Sequence, residues 1–176
     1  MLQQGSLYKI NRTTAYFLLS AIILQTFHMT EHVVQLHQHA ILGWSVKDSS
    51  GWIAALNLEE IHWIYNVSYF LLLGFVFKKC SFFTIKERPK IVRVAIILFN
   101  FAFVLQGYHV LEHTARMIQY FYTQCTPCAG ILGSHVDGVY LHFVLNFLVF
   151  VYPVGVFFML GFHKKLLKSN SEHVGK

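Results

Sequence analysis

Four long apolar segments alternate with short polar segments along the chain. We place them at about Thr14–Leu42, Leu58–Phe77, Val92–Phe121 and Val136–Phe162. A helix that crosses a bilayer needs about 20 predominantly apolar residues, and each segment is long enough. The first and third segments are longer than that, so we expect each to tilt or to extend beyond the bilayer. The pattern predicts an all-α integral membrane protein with four transmembrane helices in one domain, residues 1–176.

The composition agrees with a membrane location. Hydrophobic residues occupy 55% of the 176 positions, and charged residues occupy only 12%. Soluble domains carry about 25% charged residues. The seventeen phenylalanines suit lipid-facing and helix-packing surfaces better than the core of a small soluble domain. We therefore expect the lipid bilayer to be a partner of this chain.

The basic residues fall mainly on one side of the predicted spans. Of the fourteen Lys and Arg residues, only Lys47 and Arg116 lie on the other side. The remaining twelve lie near the chain ends or in and next to the linker at 78–91. Because cytoplasmic segments carry the excess of Lys and Arg, both termini and this linker are predicted to be cytoplasmic. The net charge of +6 needs no nucleic acid to explain it, and we expect no nucleic-acid partner.

A polar motif occurs twice within the apolar segments. The stretches Leu24–His32 and Leu105–His113 share Leu, Gln, His, Glu and His at the same five positions. A second motif, H-x-x-x-N, follows in the next segment of each half, at 62–66 and 142–146. Each half therefore has a helix bearing H-x-x-E-H, an outer loop and a helix bearing H-x-x-x-N. This repeat predicts an antiparallel four-helix bundle of two tandem two-helix repeats, related by a pseudo-two-fold axis along the membrane normal.

The two repeats extend over about 14–77 and about 92–162, and both place their histidines at one depth. Counting about 20 residues from the basic side of each span reaches the histidine motifs on all four helices. We expect one layer towards the outer face, and a polar stripe there must turn inward because lipid offers no hydrogen bonds. The layer contains His28, His32, His62, His109, His113 and His142.

This layer is predicted to be a metal site. Two His at positions i and i+4 lie on one helix face and can bind one ion. Imidazole suits copper, iron and zinc, so a transition metal is the expected cofactor. The two glutamates are either ligands or partners that orient an imidazole. The candidate ligands are His28, Glu31, His32, His62, His109, Glu112, His113 and His142.

Several functions remain open at this point. The metal site would serve a redox reaction or the handling of an ion, and whether the chain is an enzyme stays open. Alternatively, two histidines bind a haem in a small membrane cytochrome, although the i+4 partner would compete for space. A third alternative is an accessory subunit of a larger membrane complex, in which the histidine layer is a packing network. The sequence shows no serine or cysteine nucleophile motif and no phosphate-binding glycine loop.

The motifs carry two resemblances. The H-x-x-x-H spacing resembles one histidine box of the membrane desaturases and hydroxylases, but their H-x-x-H-H box does not occur here. The combination of H-x-x-E-H and H-x-x-x-N helices is similar to small prokaryotic four-helix membrane proteins of unassigned function. That resemblance spans all four helices and implies the fold but no activity.

The loops add a cysteine pair. Cys125 and Cys128 form a C-x-x-C motif on the predicted outer side, where they either form a disulfide or capture a soft ion such as Cu(I). We also expect a short interfacial helix at 50–56. The polar tail at 169–176 is expected to be disordered.

Overall fold

The computed structural model describes residues 11–52, 58–80, 82 and 88–167. These residues form helices and no strand. The helices are α1 Arg12–Ala40, α2 Glu59–Lys79, α3 Lys90–Thr123, α4 Gly138–Met159 and α5 Phe162–Leu167.

The helices α1 to α4 are each long and apolar enough to cross a membrane. They correspond to the four predicted segments, except that the fourth is split. The prediction continued this segment to Phe162, whereas α4 ends at Met159 and the short α5 follows. Gly161 separates the two helices with a φ of +72°, a left-handed conformation that ends helices. The interfacial helix at 50–56, part of the basic linker and the polar tail lie wholly or partly outside the described residues.

Side-chain caps fix where the helices begin. The Asn11 side chain accepts a hydrogen bond from the Thr14 backbone N–H at 2.7 Å, which starts α1. Asp137 Oδ1 accepts from the backbone N–H groups of Val139 and Tyr140 at 2.9 and 3.3 Å, which starts α4. Such caps satisfy backbone donors that have no partner within the helix. The second cap places His142 on the second turn of α4.

Helix α1 packs against α2 and α4, and α3 packs against the same two helices. Tyr65 of α2 donates a hydrogen bond to the Leu24 carbonyl of α1. Gln25 of α1 donates to the side chain of Asn146 in α4. The middle of α1 therefore lies beside the amino-terminal halves of α2 and α4.

The interior changes character along the helices. At one end it is apolar, with buried side chains from all four long helices that include Leu18, Leu73, Phe99 and Val156. At the other end, which we call the loop end, residues 41–52 and 124–137 connect the helices. The buried side chains there are mainly polar. This polar end contains the candidate site.

A proline in α4 is matched by a tyrosine from α2. Pro153 has no N–H, so the Val149 carbonyl one turn earlier loses its usual helical donor. Tyr69 donates its hydroxyl to this carbonyl at 2.7 Å, and the Tyr69 side chain is fully buried. The hydroxyl thus satisfies a carbonyl group that neither lipid nor α4 itself would satisfy.

Candidate metal centre

Two histidine pairs with nearly equal distances between their Nε2 atoms lie at the loop end. On α1, the Nε2 atoms of His28 and His32 are 3.1 Å apart. On α3, the Nε2 atoms of His109 and His113 are 3.2 Å apart. The i, i+4 spacing places each pair on one helix face, with one ring above the other. Both pairs are buried.

A third histidine joins each pair from the neighbouring helix. His28 and His32 form a triad with His62 of α2, and the ligand atoms of the triad lie within 4.8 Å of one another. We call this the first triad. The second triad is formed in the same way by His109, His113 and His142. All six imidazoles that the sequence selected are therefore brought together.

The two triads are in direct contact. The rings of His62 and His113 are stacked 5.5 Å apart with an interplanar angle of 8°. The rings of His32 and His142 are stacked 6.0 Å apart with an angle of 16°. In the internal repeat, His62 corresponds to His142 and His113 corresponds to His32. The two ring contacts are therefore equivalent. The six rings form one cluster in which each half contributes the same three positions.

Hydrogen bonds orient several rings so that Nε2 faces the cluster. His142 Nδ1 donates to the Gly138 carbonyl at 2.6 Å, and its Nε2 atom is buried with no partner among the described residues. The His62 side chain makes the corresponding hydrogen bond to the Leu58 backbone. His32 Nδ1 donates to Gln35 Oε1 at 2.8 Å. A ring that donates Nδ1–H keeps the Nε2 lone pair free, which is the arrangement that metal-binding histidines show.

The two glutamates of the repeated motif contact loops. Glu112 is fully buried and accepts hydrogen bonds from the backbone N–H groups of Ile131 and Leu132 at 3.0 and 3.1 Å. It also accepts from the Tyr108 hydroxyl at 2.9 Å. Glu31 accepts from the Trp52 backbone N–H at 3.1 Å. Both carboxylates therefore fix loops over the histidine cluster and lie outside the two triads, and their role as ligands stays a prediction.

A glycine and a glutamine complete each loop attachment. Gln119 donates to the Gly130 carbonyl at 3.1 Å and accepts from its N–H at 2.8 Å. Gln38 makes the same pair of hydrogen bonds with Gly51, at 3.1 and 2.9 Å. Both glycines have positive φ, and a Cβ at either would lie about 2 Å from the nearby glutamate oxygen. The close approach of carboxylate and loop thus requires glycine.

The sequence interpretation did not single out Gln38 or Gln119. The offset that relates His28 to His109 also relates Gln38 to Gln119, so the internal repeat contained the signal.

One charged pair distinguishes the two halves. Arg116 Nη1 lies 3.0 Å from Glu59 Oε1, and the other carboxylate oxygen of Glu59 lies 3.5 Å from His113 Nδ1. In the first half the position that corresponds to Arg116 is Gln35, which contacts His32 directly. The second triad is thus flanked by a guanidinium and a carboxylate, and the first by a neutral amide.

A layer of amides lies beneath the histidines and links the halves. Gln25 Nε2 donates to Asn146 Oδ1 at 2.9 Å, and Gln106 Nε2 donates to Asn66 Oδ1 at 3.0 Å. Each asparagine then donates to the carbonyl of the histidine one turn earlier. All four amide side chains are fully buried. Each half therefore supplies a glutamine to one such bond and an asparagine to the other.

Two further contacts at the loop end are a disulfide within one loop and the contacts of His39. Cys125 and Cys128 form a disulfide, so their sulfur atoms are bonded to each other. His39 contacts the Asp137 carboxylate at 3.0 Å and the Trp44 carbonyl at 2.7 Å, which ties α1 to the start of α4.

A small cavity of about 40 Å³ lies between the triads. Two histidines of each half and Arg116 form part of its wall, together with Gly138. A second cavity of about 220 Å³ lies nearer the loops and is lined by Lys47, Glu59 and Glu60, among others. Both cavities share Val46 and Pro127 in their linings.

The chain matches no protein-family model, no curated protein and no solved structure.

Proposed function

We propose that this chain is an integral membrane metalloprotein with two adjacent transition-metal ions, each bound by three imidazoles. The first ion binds His28, His32 and His62, and the second binds the corresponding residues of the second half. The four long helices form an antiparallel bundle of two tandem repeats. Both termini are cytoplasmic and the metal centre lies towards the outer face, an orientation supported by the positions of Lys and Arg.

The spacing of the ring nitrogens carries this proposal. Two nitrogens that each lie about 2.0–2.1 Å from one tetrahedral ion are about 3.3 Å apart. The Nε2 atoms of the α1 pair and of the α3 pair are 3.1 and 3.2 Å apart. Each pair therefore needs only a small adjustment to share an ion, and the ligand atom of the third histidine lies within 4.8 Å of those of the pair.

The donor set favours copper or zinc over iron. All six proposed ligands are neutral imidazoles, whereas non-haem iron sites commonly combine two histidines with a carboxylate. Copper would give the centre a redox role, and either metal is compatible with a role in ion handling. A haem is disfavoured because the cavity among the rings has a volume of about 40 Å³, far smaller than a porphyrin.

A purely structural network is the second candidate, and the amide layer supports it in part. The Gln25–Asn146 and Gln106–Asn66 hydrogen bonds join the two halves without any ion. The histidines fit this explanation less well, because His142 Nε2, an atom that faces the cluster, is buried with no hydrogen-bond partner among the described residues. Buried polar atoms in a packing network are normally paired.

Elemental analysis of protein purified without chelator and without a histidine tag tests the proposal. We expect about two ions per chain if each triad fills one tetrahedral site. Replacing His28 and His32 by alanine should lower this content to about one, since the second triad is intact. The matched control replaces the exposed His37 and His135 and should retain the metal. Wild-type protein without stoichiometric metal, or an equal loss in the control, would overturn the proposal.

A further inference from the structure

The cavity between the triads has the features of a binding site for a small anion. We propose that it binds a small inorganic anion, of the size of hydroxide or azide, next to the ions and beside Arg116. This inference rests on the proposed metal centre and names the class of exogenous ligand that the centre accepts.

Charge balance supplies the first argument. Around the cluster, the described residues place the buried carboxylates of Glu31 and Glu112, the half-buried carboxylate of Glu59 and the buried guanidinium of Arg116. These groups carry a net charge of about −2, whereas two divalent ions bound by neutral imidazoles would carry +4. The loaded centre would therefore have an excess of about two positive charges. Uncompensated charge in a medium of low dielectric constant is costly, so an anion at the ions would stabilise the loaded state.

Arg116 supplies the second argument. It is only 9% exposed and lines the cavity together with histidines from both triads. Its Nη1 atom contacts Glu59, whereas its Nε atom is buried and has no hydrogen-bond partner among the described residues. A buried guanidinium with unused donor capacity is suited to an anion, because hydrogen bonds between charged partners are the strong ones.

The size of the cavity limits the ligand. A volume of about 40 Å³ accommodates a few atoms, since about 10–15 Å³ of such space holds one water molecule. A Cβ at Gly138 would lie 3.3 Å from Arg116 Nη2, so the glycine keeps the wall beside the guanidinium open. The larger cavity, with Lys47 in its lining, shares Val46 and Pro127 with this site.

Azide is a suitable probe because its infrared stretching band shifts on binding to a metal, whatever the ion. We expect metal-loaded protein to bind azide with a shifted band. Arg116→Gln should weaken the binding by roughly tenfold, the loss of about one charge-assisted hydrogen bond. Arg116→Lys should retain more of the affinity than Arg116→Gln does. Lys47→Gln is the control for a cation outside the small cavity and should change the affinity much less.

A second variant keeps the test decisive if Arg116→Gln fails to fold with Glu59 unpaired. The double variant Glu59→Gln with Arg116→Gln removes both charges together and should still bind azide weakly. Loaded protein that binds no azide, or that binds it equally well with and without Arg116, would overturn the anion site and leave the metal centre standing. Protein that binds no metal would instead refute the proposed function.

Discussion

Gln106 donates a hydrogen bond from its side-chain amide to the Asn66 carboxamide at 3.0 Å, and the two residues belong to different halves of the repeated sequence. The corresponding bond joins Gln25 to Asn146 at 2.9 Å. The asparagines also donate to the carbonyls of His62 and His142. The amide layer therefore connects each triad to the opposite half.

The first prediction concerns this amide layer. Replacing Asn66 by leucine removes the side-chain acceptor of the Gln106 amide, leaves it only the backbone carbonyl of residue 66 at 3.1 Å, and should lower the free energy of unfolding in detergent. Replacing both residues by leucine should cost less than the sum of the single changes. The expected coupling is about 0.6 kcal/mol, typical of side-chain hydrogen bonds within membranes. Strict additivity of the two changes would show that the bond contributes nothing.

The second prediction concerns the glycine that admits the Glu112 carboxylate. A Cβ at Gly130 would lie 2.1 Å from Glu112 Oε1, and this glycine has a φ of +76°. We expect Gly130→Ala to lower the free energy of unfolding by at least about 1–2 kcal/mol from the backbone conformation alone. Thermal unfolding in detergent measures the effect.

Gly155 provides the matched control. It lies inside α4, and a Cβ there would meet no atom within 4 Å. Gly155→Ala should therefore be neutral or stabilising by about 0.5–1 kcal/mol. Similar losses of stability for both variants would contradict the proposed contact between loop and carboxylate.

The third prediction concerns Tyr69 and the proline of α4. Tyr69→Phe leaves the Val149 carbonyl without its donor and should cost about 0.6 kcal/mol, up to about 1.7 kcal/mol. In a Pro153→Ala background the residue at position 153 regains its N–H and donates to the same carbonyl. The effect of Tyr69→Phe should then be smaller. An undiminished effect in that background would mean that the hydroxyl acts in some other way.

The fourth prediction separates the cysteine pair from the metal centre. Because the sulfur atoms of Cys125 and Cys128 are bonded to each other, they are not available as ligands. The double variant with serine at both positions should retain the metal content of the wild type by elemental analysis. A loss of one ion per chain would assign the cysteines to the centre and remove one triad from it.

The spans and the histidine cluster were predictable from the sequence because both follow from spacing. Apolar length locates a membrane helix, and the i, i+4 interval fixes which histidines share a face. The partners of Glu31 and Glu112 were not predictable, since they are backbone N–H groups of loops whose course depends on tertiary contacts. The Arg116–Glu59 pair was missed for a related reason, because it joins two helices at positions that the repeat does not share.

X-ray absorption at the edge of the bound metal tests the central claim most directly. We expect about three nitrogen scatterers per ion at about 2.0–2.1 Å, with the outer-shell pattern of imidazole. Replacement of His109 and His113 by alanine should halve the metal content and leave this pattern for the remaining ion. Sulfur scatterers at about 2.3 Å, or a shell without imidazole, would contradict two ions held by the six histidines.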